Sequence, residues 1–212
     1  MYKHSNAAPC NEASLKLRLM QSIQTPPDTP TRFPEILAGH PLESGIVNAS
    51  DKNFSTSAFR ASLAMFATGV TIITARSASG EAVGLTVNSF NSVSLSPPLV
   101  LWSLASSASS MPVFMREEVH YAIHVLAVDQ KLLAERFASR REGRWKDIAF
   151  ENGLGNVPLL PGAAATFECR SKSRHTEGDH VIFVGEVLRC SHREKAAPLL
   201  FHGGRFYTEH PL

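Results

Sequence analysis

Three segments of the chain carry polar side chains in positions that could bind a ligand. The first is Gly84–Leu95, with the sequence Gly-Leu-Thr-Val-Asn-Ser-Phe-Asn-Ser-Val-Ser-Leu. An extended strand places Thr86, Asn88 and Phe90 on one face. Thr and Asn offer hydrogen-bond donors and acceptors, which suit a polar heterocycle. The alternative is an edge strand whose polar groups are satisfied within the protein, and this segment alone favours that alternative.

The second segment is the serine-rich stretch Ser103–Ser110, between a predicted strand and a short predicted helix. Small side chains and hydroxyls let backbone N–H groups approach a phosphate, and a helix N-terminus adds positive potential. Serine-rich stretches are also common as flexible loops. The stretch contains no Lys and no glycine-spaced phosphate loop, so it indicates an anion site only in combination with other features.

The third segment, Arg174–His180, comes just before the apolar strand Val181–Val184. Its Glu-Gly-Asp-His end predicts a tight turn that places His180 at a strand entrance. An imidazole there could contact a nicotinamide carboxamide or donate a proton near neutral pH, although a lone His is more often structural. Glu168 and Cys169 on the preceding strand show no obvious chemical partner, and we expect Cys169 to be a packed thiol.

Composition excludes several other classes of protein. The 21 basic and 19 acidic residues are well mixed, and a nucleic-acid binder is not expected. The basic cluster at 136–146 is interrupted by Glu142 and fits a solvated loop or a phosphate site equally well. The apolar runs are far shorter than the ~20 residues of a membrane span. Three cysteines without a CxxC pair favour the reducing cytoplasm, and His120 and His124 lie in a strand-like pattern, so we expect no metal site.

The elements that must position these segments begin after residue 52. Residues 1–52 are rich in Pro, Ser, Asn and Ala, which predicts a largely disordered extension, and 53–212 form the organised domain. Many short strands without regular βαβ alternation predict a mainly β fold with flanking helices, an antiparallel barrel. We expect helices at 58–67, 111–116 and 130–137, and strands at 70–75, 81–89, 93–95, 99–104, 121–126, 163–169, 180–190 and 204–208.

Taken in order, these segments resemble the flavin reductase-like family of FMN-binding split barrels. The likeness is greatest to the small NAD(P)H:flavin oxidoreductases of two-component flavin monooxygenases. It covers about three quarters of the chain, all of it beyond the extension. The matching runs are 59–60, 65–74, 84–101, 130–138, 178–180 and 198–206.

The resemblance implies a homodimer and a set of ligand contacts. Residues that would meet the isoalloxazine and ribityl groups of FMN or FAD are Thr86, Asn88, Ser89 and Phe90, and Phe137 of the 130–138 run would also contact the flavin. The flavin phosphate would meet the serine-rich loop, through Ser103, Ala105, Ser106 and Ser109. His180 would lie near the nicotinamide of NADH or NADPH. One departure is His124, where relatives usually have Asn.

These features predict an NAD(P)H-dependent flavin reductase that supplies reduced flavin to a partner monooxygenase. Hydride would pass from nicotinamide C4 to flavin N5, a step that the cofactors themselves perform while the protein aligns the rings. Two alternatives stay open. One is a flavin-binding protein of the same fold without reductase turnover, and the other is a self-contained flavoprotein oxidoreductase that acts on an organic substrate.

Overall fold

The computed structural model describes residues 48–50, 54–139 and 142–210 of the chain. Apart from 48–50, the predicted extension 1–52 lies outside the described residues. The helices are α1 (Thr56–Leu63), α2 (Met111–Phe114) and α3 (Lys131–Ala138), with 3-10 turns at Val128–Gln130 and Leu154–Asn156. Ser55 caps α1, because its hydroxyl accepts a hydrogen bond from the Ala58 N–H at 3.2 Å.

Twelve strands are present in the described part of the chain. In order they are β1 (Thr68–Gly69), β2 (Thr71–Arg76), β3 (Ala82–Val87), β4 (Asn91–Leu95), β5 (Pro98–Ala105), β6 (His120–Val125), β7 (Glu151–Asn152), β8 (Pro158–Leu159), β9 (Ala165–Glu177), β10 (His180–His192), β11 (Leu200–His202) and β12 (Arg205–Tyr207).

Seven of these strands form one antiparallel sheet, in the order β3-β2-β6-β9-β10-β5-β4. The β-branched run of β2 lies inside it, paired with both β3 and β6, and its first five residues are buried. A second sheet joins β1, β11 and β12, and β7 pairs with β8. The mainly β, antiparallel architecture with flanking helices confirms the predicted fold class.

The hairpin of β9 and β10 is longer than the sequence pattern predicts. Apolar alternation indicates a strand only over Ala163–Cys169, but β9 continues to Glu177. Its polar second half is held by backbone pairing with β10, which satisfies the ladder without a buried face. The tight turn at Gly178 and Asp179 is confirmed, and Gly178 adopts a φ of +59°, which a glycine tolerates.

Two apolar clusters support the strands that carry the predicted site. One lies inside the main sheet, where Trp102 stacks on Phe183 with ring centroids 4.7 Å apart. The other joins β2 to α3 and includes the fully buried Ile72 and Phe137. Phe137 packs edge-on against Trp145 at 4.9 Å and closes over Gly84 of β3. The second cluster therefore fixes α3 against the start of the first polar segment.

Candidate functional site

A side-chain bridge joins the end of β3 to β5. The Ser89 hydroxyl donates to the Ser103 carbonyl at 3.1 Å and accepts from the Ser103 N–H at 2.9 Å. On the same strand, the Thr86 hydroxyl donates to the Ala134 carbonyl of α3 at 2.7 Å. Both hydroxyls therefore tie elements of the scaffold together. Their protons are used in these bonds, so a ligand could reach only their remaining lone pairs.

The Gly-Asp turn is tied to the serine-rich loop. The Ser106 N–H donates to the Asp179 carbonyl at 2.9 Å, and His180 lies opposite Ala105 in the β10–β5 register. His180 Nδ1 lies 2.6 Å from Asp179 Oδ1. This hydrogen bond with His180, then the charge of His180, lowers the pKa of the exposed Asp179 carboxyl, with a small contribution from Arg60. The serine-rich stretch and the Arg174–His180 segment, far apart in the sequence, thus lie next to each other.

Two adjoining clefts bring most of the predicted site residues together. We call the first the His180 cleft, about 270 Å³, and the second the serine cleft, about 300 Å³. They share Leu85, Thr86 and Ala105 and so form one groove. Predicted residues of the His180 cleft are Thr86, Asn88, Ser89, Ser103, Ala105 and His180. Those of the serine cleft are Thr86, Ala105, Ser109 and Phe137.

Two predicted residues take different places. Phe90 packs on Phe167 at 5.5 Å and lines a cleft of about 450 Å³ beneath α1, which also contains Arg60. That cleft shares Asn88 and Ser89 with the His180 cleft. Ser106 is exposed and lines neither half of the groove, so its observed role is the backbone bond to the turn.

Arg144, one of the cations of the basic cluster at 136–146, lines the serine cleft. Its Nη1 donates to the carbonyls of Gly84 at 3.2 Å and Phe137 at 3.4 Å, which holds the guanidinium in the wall of the serine cleft. Ser107, Ser109, Ser110 and Ser139 line the same cleft, and none of its described lining residues is acidic. One cation with several hydroxyls fits a phosphate. The basic cluster at 136–146 was the only sequence signal for it.

His124 is a structural residue rather than a ligand contact. The ring is fully buried, its Nε2 accepts from the Leu160 N–H at 3.0 Å, and its Nδ1 therefore donates to the Ile72 carbonyl at 3.1 Å. Burial lowers its pKa to about 4, against opposing contributions from the Ile72 carbonyl and Glu168. Both ring nitrogens bond to the backbone, so His124 fastens β6 to β2 and to the segment after β8.

The expectation that Glu168 has no partner is wrong. Burial alone would raise the pKa of this carboxyl, but Arg189, the Leu154 N–H and nearby charges lower it overall. Arg189 Nη2 lies 2.8 Å from Glu168 Oε2, and the Leu154 N–H donates to the same oxygen at 2.6 Å. The sequence alone did not indicate this partner, because Glu168 on β9 and Arg189 on β10 pair across strands. Cys169 is buried, and burial raises the pKa of its thiol to about 12, which supports a packed, unreactive thiol.

Two other features are absent from the described residues, a metal site and a membrane-spanning helix. No group of three or more His, Cys, Asp or Glu side chains there has an arrangement that could hold a metal ion. No helix in that part of the chain has the length and apolar character needed to cross a bilayer.

Comparison with known proteins identifies the family of the chain. The flavin reductase-like domain model matches residues 63–210. The chain belongs to the flavin reductase-like family. This confirms the family resemblance inferred from the sequence, and the match begins in α1 and ends after β12.

Named relatives and solved structures agree with this assignment. FMN reductase (NADH) SmoA of Agrobacterium fabrum is 52% identical over 149 residues, covering 70% of this chain and 83% of its own length. The NADH:FAD oxidoreductase SgcE6 of Streptomyces globisporus, solved with NAD and FAD fragments, is 33% identical with a TM-score of 0.71, covering 79% and 98% of the two chains. The styrene monooxygenase flavin reductase of Pseudomonas putida is 34% identical with a TM-score of 0.67, covering 73% and 99%.

Proposed function

We propose that this chain is an NAD(P)H:flavin oxidoreductase that reduces free FMN or FAD and delivers the reduced flavin to a partner monooxygenase. The observation that carries the proposal is the continuous groove. One end has Arg144 and serine hydroxyls without a lining carboxylate, and the other end has His180. The named relatives, an FMN reductase, an FAD oxidoreductase and a monooxygenase's flavin reductase, support the same activity.

The serine cleft suits the flavin phosphate. Arg144 keeps Nη2 and Nε for a ligand, because the described carbonyls take only its Nη1. Serine hydroxyls can donate to the remaining phosphate oxygens. Phe137, only 1% exposed, lines this cleft. These residues bind and orient the phosphate end, and they leave the polar end of β3 to meet the ring system.

The His180 cleft suits the polar edges of the two rings. Asn88 at the end of β3 is exposed and offers both a donor and an acceptor amide group. His180, which lines the same cleft, can hydrogen-bond the nicotinamide carboxamide. Bound nicotinamide and flavin supply the hydride transfer between them, so the protein needs no nucleophile or obligatory base. Its contribution is alignment of the two reactants.

A steady-state assay tests this activity. Purified full-length protein with NADH and FMN should consume NADH at a rate that depends on added flavin. Replacing His180 with Ala should raise the KM for NADH more than it weakens FMN binding. Absence of flavin-dependent NADH oxidation would overturn the proposed reductase activity. Stoichiometric flavin that survives dialysis, without turnover of added flavin, would favour the non-reductase alternatives.

We also propose that the chain forms a homodimer. The α1 side of the molecule exposes four large apolar residues, Phe59 at 50%, Leu63 at 57%, Met65 at 69% and Phe66 at 74%, and the β4 edge exposes Leu95 at 94%. Apolar exposure of this extent is typical of an interface. Light scattering coupled to size exclusion should give twice the chain mass of 23.1 kDa. Replacing Leu63 and Phe66 with Ser should shift the protein toward the monomer, and an unchanged mass would contradict this interface.

A further inference from the structure

Asp179 connects the serine-rich loop to His180. Its carbonyl accepts the Ser106 N–H of the serine-rich loop at 2.9 Å, and its carboxylate lies 2.6 Å from His180 Nδ1. The backbone of Asp179 therefore positions the turn against the loop, and its side chain acts on the imidazole. Neither contact was expected from the sequence, where the residue is only part of a tight turn.

The contact with Asp179 defines which nitrogen of His180 carries a proton. An ionised carboxylate has acceptor oxygens only, so Nδ1 must be the donor in this hydrogen bond. Asp179 is 95% exposed and its pKa is lowered, so the carboxylate is ionised at neutral pH. In the neutral ring, Nε2 then presents its lone pair away from the turn. An amide NH₂ group is a matching donor.

The surrounding charges leave this arrangement intact. Arg60 is the cation whose charge acts on Asp179 besides His180, and it adds a small contribution to the lowered pKa of the carboxyl. Glu177 lies opposite His180 in the β9–β10 register, but the hydrogen bond to Nδ1 comes from Asp179. Glu177 therefore offers a matched control, because it is a carboxylate of the same turn without that bond.

We propose that Asp179 is a positioning residue that holds His180 as the Nδ1–H tautomer and directs its Nε2 acceptor to the carboxamide of the nicotinamide nucleotide. This inference rests on the proposed reductase function. It extends that function to a second residue, which acts on the substrate only through His180. It also implies that the bond between the serine-rich loop and the turn keeps the histidine in register with the flavin phosphate end of the groove.

Histidine NMR tests the tautomer directly. Two-bond ¹H–¹⁵N correlations of the full-length protein at pH 8, assigned with His180→Gln, should show His180 with the proton on Nδ1. Asp179→Asn keeps an acceptor oxygen and should keep that pattern. Asp179→Ala should shift the ring toward the Nε2–H form, which an unpartnered imidazole prefers in water. Glu177→Ala should leave the spectrum unchanged. A wild-type ring protonated on Nε2, or no change in Asp179→Ala, would overturn the proposal.

Kinetics separates positioning from a general structural effect. Asp179→Ala should raise the KM for NADH about three- to tenfold, the loss of the one neutral hydrogen bond from the carboxamide to Nε2, with kcat and the FMN dissociation constant nearly unchanged. Asp179→Asn should recover most of the loss, and Glu177→Ala should show none. An Asp179→Ala enzyme with an unchanged KM would also refute the proposal. Absence of flavin-dependent NADH oxidation in the wild-type protein would instead refute the reductase function, whatever the tautomer.

Discussion

Gly84→Ala should destabilise the protein because β3 has no room for a methyl group at this position. A Cβ on Gly84 would lie 2.6 Å from Phe137 Cε1, 2.9 Å from Phe137 Cδ1 and 3.0 Å from Trp145 Cζ2. The Phe137 ring is 1% exposed and is held edge-on by Trp145, so it cannot turn aside cheaply. Overpacking of this kind costs about 1–3 kcal/mol, and the tight contacts place this site at the upper end. Replacing a strand glycine with alanine by itself raises the free energy of unfolding by about 0.5–1 kcal/mol. The expected net loss is about 2 kcal/mol.

Urea unfolding measures this loss, and Gly69→Ala supplies a matched control. Gly69 also lies in a strand, but a Cβ there would meet no atom within 4 Å. We expect Gly69→Ala to leave the free energy of unfolding unchanged or to raise it by up to about 1 kcal/mol, because it removes a strand glycine without a clash. Because Phe137 lines the serine cleft, Gly84→Ala should also raise the KM for FMN while the KM for NADH changes little.

A double-mutant cycle identifies the cause. If the clash with the ring is responsible, Gly84→Ala should cost less in a Phe137→Leu background than in the wild-type protein. The same cost in both backgrounds would show that the ring is not the source of the strain. A stability equal to the wild-type value would refute the packing argument altogether.

Three other predictions concern His124, Arg144 and the N-terminal segment. Since the pKa of folded His124 is about 4 and that of an unfolded His is about 6.5, the unfolded state binds more protons between these values. Acidification from pH 7.5 to 5 should therefore lower the free energy of unfolding by about 2 kcal/mol more in the wild-type protein than in His124→Asn. Urea titrations measure this difference. The control variant His192→Asn, at an exposed position, should match the wild-type protein. Arg144→Ala should raise the KM for FMN about tenfold but leave that for riboflavin, which lacks the phosphate, nearly unchanged; equal effects would remove Arg144 from the phosphate site. Deletion of residues 1–48 should preserve melting temperature and reductase rate, and a large fall in either would show that this segment supports the domain.

Sequence patterns predicted the parts of the fold that depend on local regularity. The β-branched run at 71–74 forms β2, which is buried along its first five residues, as a continuous apolar run predicts. The apolar strand after His180 forms the first half of β10, where buried and half-buried residues alternate. The polar half of β9 is different. Its backbone pairs with β10 over Ser171–Glu177, and such pairing leaves no hydrophobic signature along the strand.

The candidate site shows the same division. The sequence indicated which segments carry polar groups, and the structure brings Thr86, Ser103 and His180 to one groove. The basic cluster at 136–146 fitted a phosphate site as well as a solvated loop, but the sequence could not show which of its cations reaches the serine cleft. Arg144 reaches it from a loop some 60 residues after Gly84, to whose carbonyl it bonds. Nor could the sequence distinguish His124 from a ligand contact, since only the positions of the Ile72 and Leu160 backbone groups show that both ring nitrogens are already bonded.

Several polar residues of the groove have a scaffold role that limits what mutagenesis can show about ligand binding. Thr86 and Ser89 both donate their hydroxyl protons to backbone carbonyls, so their removal would alter strand and helix placement together with any ligand contact. Arg144 and His180 differ, because each uses one nitrogen for the scaffold or the turn and retains others for a ligand. Affinity for the flavin phosphate and for the nicotinamide should therefore be separable at these two residues.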